Sequence, residues 1–199
     1  MKCSFCGEDA IYRCSACGEV VCGKHSKLHV VCPSCFDRGS IKMKIDRATS
    51  EEDKAQIRRL VKGFWGEEEQ LTFDRKLNVA DLPAYVTHDK GSVVGFVSFA
   101  EANNAVIIVA LGVLPQHQNA GVGRRLLGKV EEDARKVGKE RLLVSTSNDD
   151  LPALGFYQAL GFQIFEVRPN VIAEKHRATV AGIGGLPVRD EIRLQKALQ

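Results

Sequence analysis

No apolar run in this chain approaches the ~18 residues of a membrane-spanning helix. No basic stretch followed by an apolar core opens it, as a secretory signal would. The expectation is a cytoplasmic protein without a membrane partner. Internal repeats and low-complexity tracts are also missing, so repetition does not build the fold. Charge of one sign is in short supply: 28 Lys and Arg stand against 25 Asp and Glu, a net +3. That balance falls short of the clustered surplus of a dedicated nucleic-acid binder. Cysteine is absent after residue 35, although seven cysteines precede that point. What is present fits a globular chain. Hydrophobic residues make up 44% and charged residues 27%, enough apolar material for a core. The 199 residues suit one domain of about 150 residues and a small additional module.

The seven cysteines are Cys3, Cys6, Cys14, Cys17, Cys22, Cys32 and Cys35, with His25 and His29 among them. An odd count leaves one thiol outside any closed disulfide set, and a cytoplasmic setting disfavours disulfides. As metal ligands, three Cys-x-x-Cys pairs and Cys22-x-x-His25 form four chelating pairs, enough for two tetrahedral zinc ions. Residues 1–38 carry too little apolar material to fold on a core alone. Metal binding must stabilise them, by about 10–16 kcal/mol per structural zinc. The spacing resembles cross-brace fingers of the B-box and HIT type. In such fingers the first and third pairs share one metal, here Cys3, Cys6, Cys22 and His25. Cys14 and Cys17 begin the second site, completed by Cys32 and Cys35 or by His29 and Cys32. Five Lys and Arg face four Asp and Glu within residues 1–38. That balance suits a protein contact or a purely structural role better than non-specific phosphate binding.

Asp37-Arg38-Gly39-Ser40 is a polar turn, placing a zinc module at 1–38 and a larger domain at 41–199. Ile41, Met43 and Ile45 then alternate as in a strand. Overlapping capping boxes, Thr49-x-x-Glu52 and Ser50-x-x-Asp53, precede Ile57, Leu60, Val61, Phe64 and Trp65 at helical spacing. Glu67-Glu68-Glu69 is a solvated face, or a surface that greets a basic substrate. Residues 82–88 and 92–99 read as a hairpin turned at Asp89-Lys90-Gly91. Ala105 to Val113 is apolar throughout, the mark of a central strand covered on both faces. Val122, Leu126, Leu127, Val130, Ala134 and Val137 share one helix face. A strand over 141–146, a helix over 151–160 and a strand over 162–168 follow. Residues 169–187 form a long connection that could overhang a substrate cleft. A last strand over 191–196 turns Ile192 and Leu194 inward.

The most informative segment lies between the apolar strand and the amphipathic helix. It reads Gly112-Val-Leu-Pro-Gln-His-Gln118-Asn-Ala-Gly121-Val-Gly123-Arg124. A glycine turn that opens a helix binds anions well. The backbone can approach closely, its N–H groups point at the ligand, and the helix dipole favours negative charge. The spacing is neither the dinucleotide fingerprint nor the P-loop. It resembles the acetyl-CoA loop of the GNAT acetyltransferase superfamily. A second stretch, Ser147-Asn148-Asp149-Asp150 through Gly155-Phe156-Tyr157 to Gly161-Phe162, resembles that family's tyrosine-bearing helix and following strand. The ending Gly185-Leu186-Pro187-Val188-Arg189-Asp190-Glu191-Ile192 resembles one of its subgroups. Together the matches span roughly residues 41–199.

The resemblance implies an α+β fold with a mixed, mostly antiparallel sheet flanked by helices, behind the small zinc-binding module. It implies transfer of acetyl from acetyl-CoA to an amine of a protein or small molecule, by direct attack on the thioester. The central strand would part from its neighbour at a bulge and present the backbone of Leu111, Gly112 and Val113 to pantetheine. Gln118, Asn119, Gly121, Val122, Gly123 and Arg124 would wrap the pyrophosphate, and Asn148 would touch the cofactor. Asp150 stands where an asparagine is common in the subgroup. Tyr157 would protonate the departing thiolate; packing beside Phe156 and Phe162 is its alternative role. No carboxylate lies between Ala105 and Val113, leaving Glu101, Glu174, His176 or a water chain as the base. A second reading makes the chain an adapter that holds a protein or RNA through its finger, with a weakly active acetyl-CoA-binding domain. The intact loop and Tyr157 favour the enzyme.

Overall fold

The computed structural model describes residues 2–10, 12–13, 19–22, 43–177 and 180–198. A short antiparallel pair, β1 (Tyr12–Arg13) and β2 (Val20–Val21), lies near the N-terminus. The remainder is organised by one sheet of seven strands. In chain order these are β3 (Ile45–Arg47), β6 (Ala84–Asp89), β7 (Ser92–Ala102), β8 (Ala105–Val113), β9 (Arg141–Ser147), β10 (Gln163–Arg168) and β13 (Glu191–Ala197). Their spatial order is β10-β13-β9-β8-β7-β6-β3, and every neighbouring pair is antiparallel except β8 with β9. The mixed, mostly antiparallel sheet flanked by helices is therefore as expected.

A parallel pair requires a crossover. Here it is α2 (Val122–Lys136), which packs Val122, Leu126, Leu127, Val130 and Ala134 against Val94, Val97, Val106, Ile108, Leu142 and Val144. Val137, placed by its spacing on the same face, lies just past the helix end and is 68% exposed. The other sheet face is covered by α1 (Glu51–Trp65), whose Ile57 and Val61 meet Val86, Val93, Phe96 and Ala110. Helices on both faces explain why β8 is apolar at successive positions. The Ser50 side chain caps α1 by accepting from the Asp53 N–H at 3.0 Å, and Gly66 ends it in the left-handed region. Gly112 owes its identity to this layer: a Cβ there would come within 2.7 Å of Phe64 and Phe96.

The hairpin β4 (Glu69–Thr72) and β5 (Arg75–Asn78) has no counterpart in the sequence reading. Its two-residue turn, Phe73-Asp74, holds both residues at positive φ, 49° and 61°. Glycine or asparagine usually announces such a turn, and here neither is present. Tertiary contacts hold it instead. The Phe73 N–H donates to Glu191 Oε1 at 3.0 Å. The buried Arg193 guanidinium donates to Asp74 Oδ2 at 2.9 Å, Glu166 Oε2 at 3.0 Å and Glu191 Oε2 at 2.9 Å. It also lies 4.9 Å from the centre of the Phe73 ring. Thus β13 buries Ile192 and Leu194 as expected, and also Glu191 and Arg193 on its other face.

After β10 the chain forms α4 (Val171–His176) and a small hairpin of β11 (Val180–Ala181) and β12 (Pro187–Val188). The helix between β9 and β10 is α3 (Leu151–Ala159). No helix among the described residues is long and apolar enough to cross a membrane.

Replacing Arg193 by Met would leave the Glu191 carboxylate buried and unpaired. The expected loss in unfolding free energy is about 3–5 kcal/mol, read by urea denaturation. A loss below about 1 kcal/mol, the size of an exposed ion pair, would show that the cluster is not what holds the hairpin.

Candidate active site

Pairing between β8 and β9 stops at Ile108 with Val144. Opposite β7, the register jumps from Ser98–Ala110 to Phe99–Ile108, so Val109 is an inserted residue, a β-bulge. Beyond it, β9 stays with β13 while β8 stays with β7. The two strands part, and a cleft of about 250 Å³ opens between them. Val109, Ala110 and Leu111 line one wall, Ser145, Thr146 and Ser147 the other. Among the described residues, the β9-facing edge of 109–113 has no ladder partner. Such an edge offers backbone donors and acceptors to an extended ligand.

Past β8, a short 3-10 turn at Pro115–His117 leads to the glycine loop. Gln118 Nε2 donates to the Val113 carbonyl at 2.9 Å, which ties the loop back to the strand. Asn119 and Gly121 lie at positive φ, 61° and 76°. Gly121 opens α2 with no side-chain cap. The N–H groups of its first turn are therefore free of the usual capping oxygen. The space where a Cβ would lie on Gly121 is open, whereas one on Gly123 would come 3.4 Å from Phe156. Val122 is a core residue. Arg124 is exposed, and Arg125 donates to the Met43 carbonyl. An uncapped helix start beside an unpaired strand edge fits a ligand with a pyrophosphate at one end and amide groups along its length.

Tyr157 projects from α3 and lines the same cleft. It is buried, with edge-on contacts to Phe156 and Phe162 at 5.2 and 5.5 Å. It therefore packs and faces the cleft at once. Burial pushes its hydroxyl pKa well above that of a free tyrosine, and the Asp150 carboxylate adds to the rise. The hydroxyl keeps its proton at neutral pH. Asp150 caps α3 by accepting from the Ala153 N–H at 3.0 Å. An aspartate has no amide N–H to donate, so at this position the side chain acts as a cap by accepting.

Asn148 is occupied elsewhere. Its amide donates to the Pro187 carbonyl at 2.8 Å and accepts from the N–H groups of Arg189 and Asp190 at 3.0 and 2.9 Å. These bonds fix the lead-in to β13. Of the base candidates, Glu101 pairs with Lys139 at 3.1 Å and, like Glu174, is off the cleft wall, whereas His176 is on it. Glu67, from the acidic run, is on that wall, and reading the sequence missed other groups there: Trp65, Gln70, Thr72, Lys175 and Glu191. They arrive from α1, the unforeseen hairpin, α4 and β13, so no local pattern announces them together. Two members of the acidic run pair with basic side chains outside it: Glu67 with Lys175, and Glu68 with Arg58 and Lys62.

At the N-terminus, the Sγ atoms of Cys3, Cys6 and Cys22 lie within 4.8 Å of one another, with Cys6 and Cys22 at 3.7 Å. A disulfide would need about 2.05 Å. Two thiolates on one tetrahedral zinc, each at about 2.3 Å, stand about 3.8 Å apart. His25, Cys14, Cys17, Cys32, Cys35 and His29 lie outside the described residues, as does the 37–40 boundary.

Comparison with known proteins agrees with this geometry. A model of the acetyltransferase (GNAT) family matches residues 50–162. The uncharacterized protein YxbD of Bacillus subtilis (strain 168) is 29% identical over 140 residues, covering 68% of this chain and 87% of that protein. Among solved structures, an IAA acetyltransferase from Bacillus cereus ATCC 14579 superposes with a TM-score of 0.64 at 24% identity. It covers 79% of this chain and all of the other. A Bacillus subtilis acetyltransferase in complex with CoA superposes at 0.62 and 19% identity, again over 79% of this chain and all of the other. The chain belongs to the GNAT family of acetyltransferases, and its reaction is transfer of an acetyl group from acetyl-CoA.

Gly121→Glu places an anion where the uncapped N–H groups would meet the pyrophosphate. Acetyl-CoA affinity should fall by about 100-fold or more, the scale of a like-charge clash. Strain at positive φ should cost a further 1–2 kcal/mol or so in stability. Calorimetry on the folded variant decides it, and unchanged affinity would reduce the loop to a packing turn.

Proposed function

We propose that this protein is a two-module N-acetyltransferase of the cytoplasm, with a zinc module at 1–38 and the catalytic domain at 41–199. The observation that carries the reading is the parting of β8 from β9 beside the uncapped start of α2. The backbone of Leu111, Gly112 and Val113 pairs with the pantetheine arm. Gln118, Asn119, Gly121, Val122, Gly123 and Arg124 surround the pyrophosphate, mainly through backbone N–H groups, and Arg124 adds charge. Asn148 acts at one remove, by holding the lead-in to β13 at the cleft rim. When bound, acetyl-CoA supplies the thioester whose carbonyl the acceptor amine attacks directly.

Tyr157 donates the proton that the departing thiolate requires. Burial, and after it the Asp150 carboxylate, raise its pKa, so the hydroxyl is fully protonated when sulfur leaves. Tyr157→Phe preserves the ring and removes the hydroxyl. Turnover should drop by roughly 100-fold, with acetyl-CoA affinity nearly constant because the interaction belongs to the transition state. Thiol release across a panel of amines, or slow hydrolysis of acetyl-CoA, measures it. Turnover equal to the unaltered protein would reduce Tyr157 to packing.

The N-terminal module binds two structural zinc ions. Cys3, Cys6 and Cys22 form three corners of the first site, with His25 the fourth. Cys14, Cys17, Cys32 and Cys35 form the second, with His29 as the substitute for Cys35. The sulfur spacing is the support for this reading. The near balance of charge in this module favours a protein as its partner. Elemental analysis should find about two zinc per chain, and a strong chelator should unfold residues 1–38 while leaving acetyl-CoA binding intact. A metal-free N-terminal module that remains folded would refute the assignment.

A further inference from the structure

Lys175 is an amine that the fold itself delivers to the cleft. It sits on α4, and its side chain is only 16% exposed. It shares the cleft lining with Leu111, Ser145 and Tyr157, and among the described residues no other lysine does. Its ammonium is paired with the carboxylate of Glu67, a cleft residue from the segment between α1 and β4. An amine, a carboxylate paired with it, and the hydroxyl of Tyr157 thus face one space.

We propose that Lys175 is acetylated by the protein's own site, from acetyl-CoA bound in the same cleft. The inference rests on the reading of that cleft given above. Lys175 Nζ gives one proton to Glu67, and its lone pair attacks the thioester carbonyl carbon. The N–C bond forms and the C–S bond breaks. Sulfur takes a proton from Tyr157, the second Nζ proton restores Tyr157, and Glu67 passes the first to water. Acetyl-lysine, the free thiol of coenzyme A and one proton are the products, with no change of oxidation state. Tethering the amine in the cleft turns a bimolecular step into an intramolecular one. Acetylation removes the lysine's charge and dissolves its ion pair. The Glu67 carboxylate is then unpaired within the cleft, where the ammonium of an incoming acceptor can take the place of Lys175.

The test incubates the full chain with acetyl-CoA and no added acceptor, and follows each lysine by peptide mass spectrometry. Lys76 and Lys90, both exposed, are the internal references. Lys175 should gain one acetyl group at least about 10-fold faster than either, because of its enforced proximity. The rate constant should not depend on protein concentration, and Glu67→Gln and Tyr157→Phe should slow Lys175 alone. Labelling of Lys175 at the rate of Lys76 and Lys90 overturns the proposal, as does a rate proportional to protein concentration. Calorimetry with acetyl-CoA runs in parallel. Binding without preferential labelling defeats this inference alone, whereas absence of binding defeats the reading of the cleft beneath it.

Discussion

The separation of β8 from β9 is the constraint on which the site depends. A parallel pair places both carboxyl ends at the same edge of the sheet, and the helices that follow both begin there. Here those helices are α2 and α3. Either N-terminus could attract an anion through its exposed N–H groups. The sequence distinguishes them. Asp150 fills the cap of α3 with its own oxygen, whereas Gly121 leaves α2 without one. The bulge at Val109 adds the second requirement, since it frees the strand edge where the parallel ladder ends. One inserted residue and one missing cap thus make neighbouring donors for the two halves of a long, charged, amide-containing ligand.

The opposite side of the cleft is built from charge. Arg193 ties the turn of the β4–β5 hairpin to β13 and β10 through three carboxylates. Thr72 meets Ser145 across the cleft floor at 2.8 Å. Hairpins of four-residue strands are marginal alone, so the wall is only as firm as these contacts. The same carboxylate chemistry recurs at Asp150, whose oxygen caps α3; burial first, and its charge second, raise the Tyr157 hydroxyl pKa. Two polar arrangements therefore do what sheet and helix cannot: one holds a wall in place, the other starts the helix that carries Tyr157.

The parts legible in sequence were those with local signals. The apolar run of β8, the Ser50 cap, the Lys90-Gly91 turn and the glycine loop each encode a conformation within a few residues, whereas the mixed, mostly antiparallel sheet was what the family resemblance implied. The hairpin escaped because Phe73-Asp74 adopts its turn under tertiary contact and carries no glycine. Glu191 and Arg193 escaped because alternation along β13 predicts solvent on their face, and only the hairpin that covers it makes them interior. Val137 was misplaced because periodicity carried one residue beyond the helix. Asn148 was visible as a polar residue beside a motif, yet its three hydrogen-bond partners come from about 40 residues away. Cleft residues drawn from four elements share no spacing, so their common address exists only after folding.

The two parts of the chain differ in how much core they carry. From Met43 onward, apolar side chains close on both faces of a seven-stranded sheet. Before residue 23, the buried apolar cluster among the described residues is Cys3, Ala10 and Cys22, with Val20 beside it. Two of those three are thiols, and a cluster that small contributes only a few kcal/mol by area. Against about 1–2 kcal/mol of backbone entropy per ordered residue, it cannot hold a turn and a two-stranded hairpin in place. The backbone nevertheless brings three sulfurs within 4.8 Å of one another. Burial moves the Cys3 thiol away from ionisation, yet hydrogen bonds from the backbone of Cys22, Phe5 and Cys6, and from the Cys6 thiol, outweigh it and bring its pKa down to about 6. The Cys6 thiol moves the other way: a hydrogen bond from the Glu8 backbone lowers its pKa, but burial and the neighbouring Cys22 and Cys3 thiols outweigh it and push it up. The proposed metal module therefore rests on the clustering of the sulfurs and the small core around them.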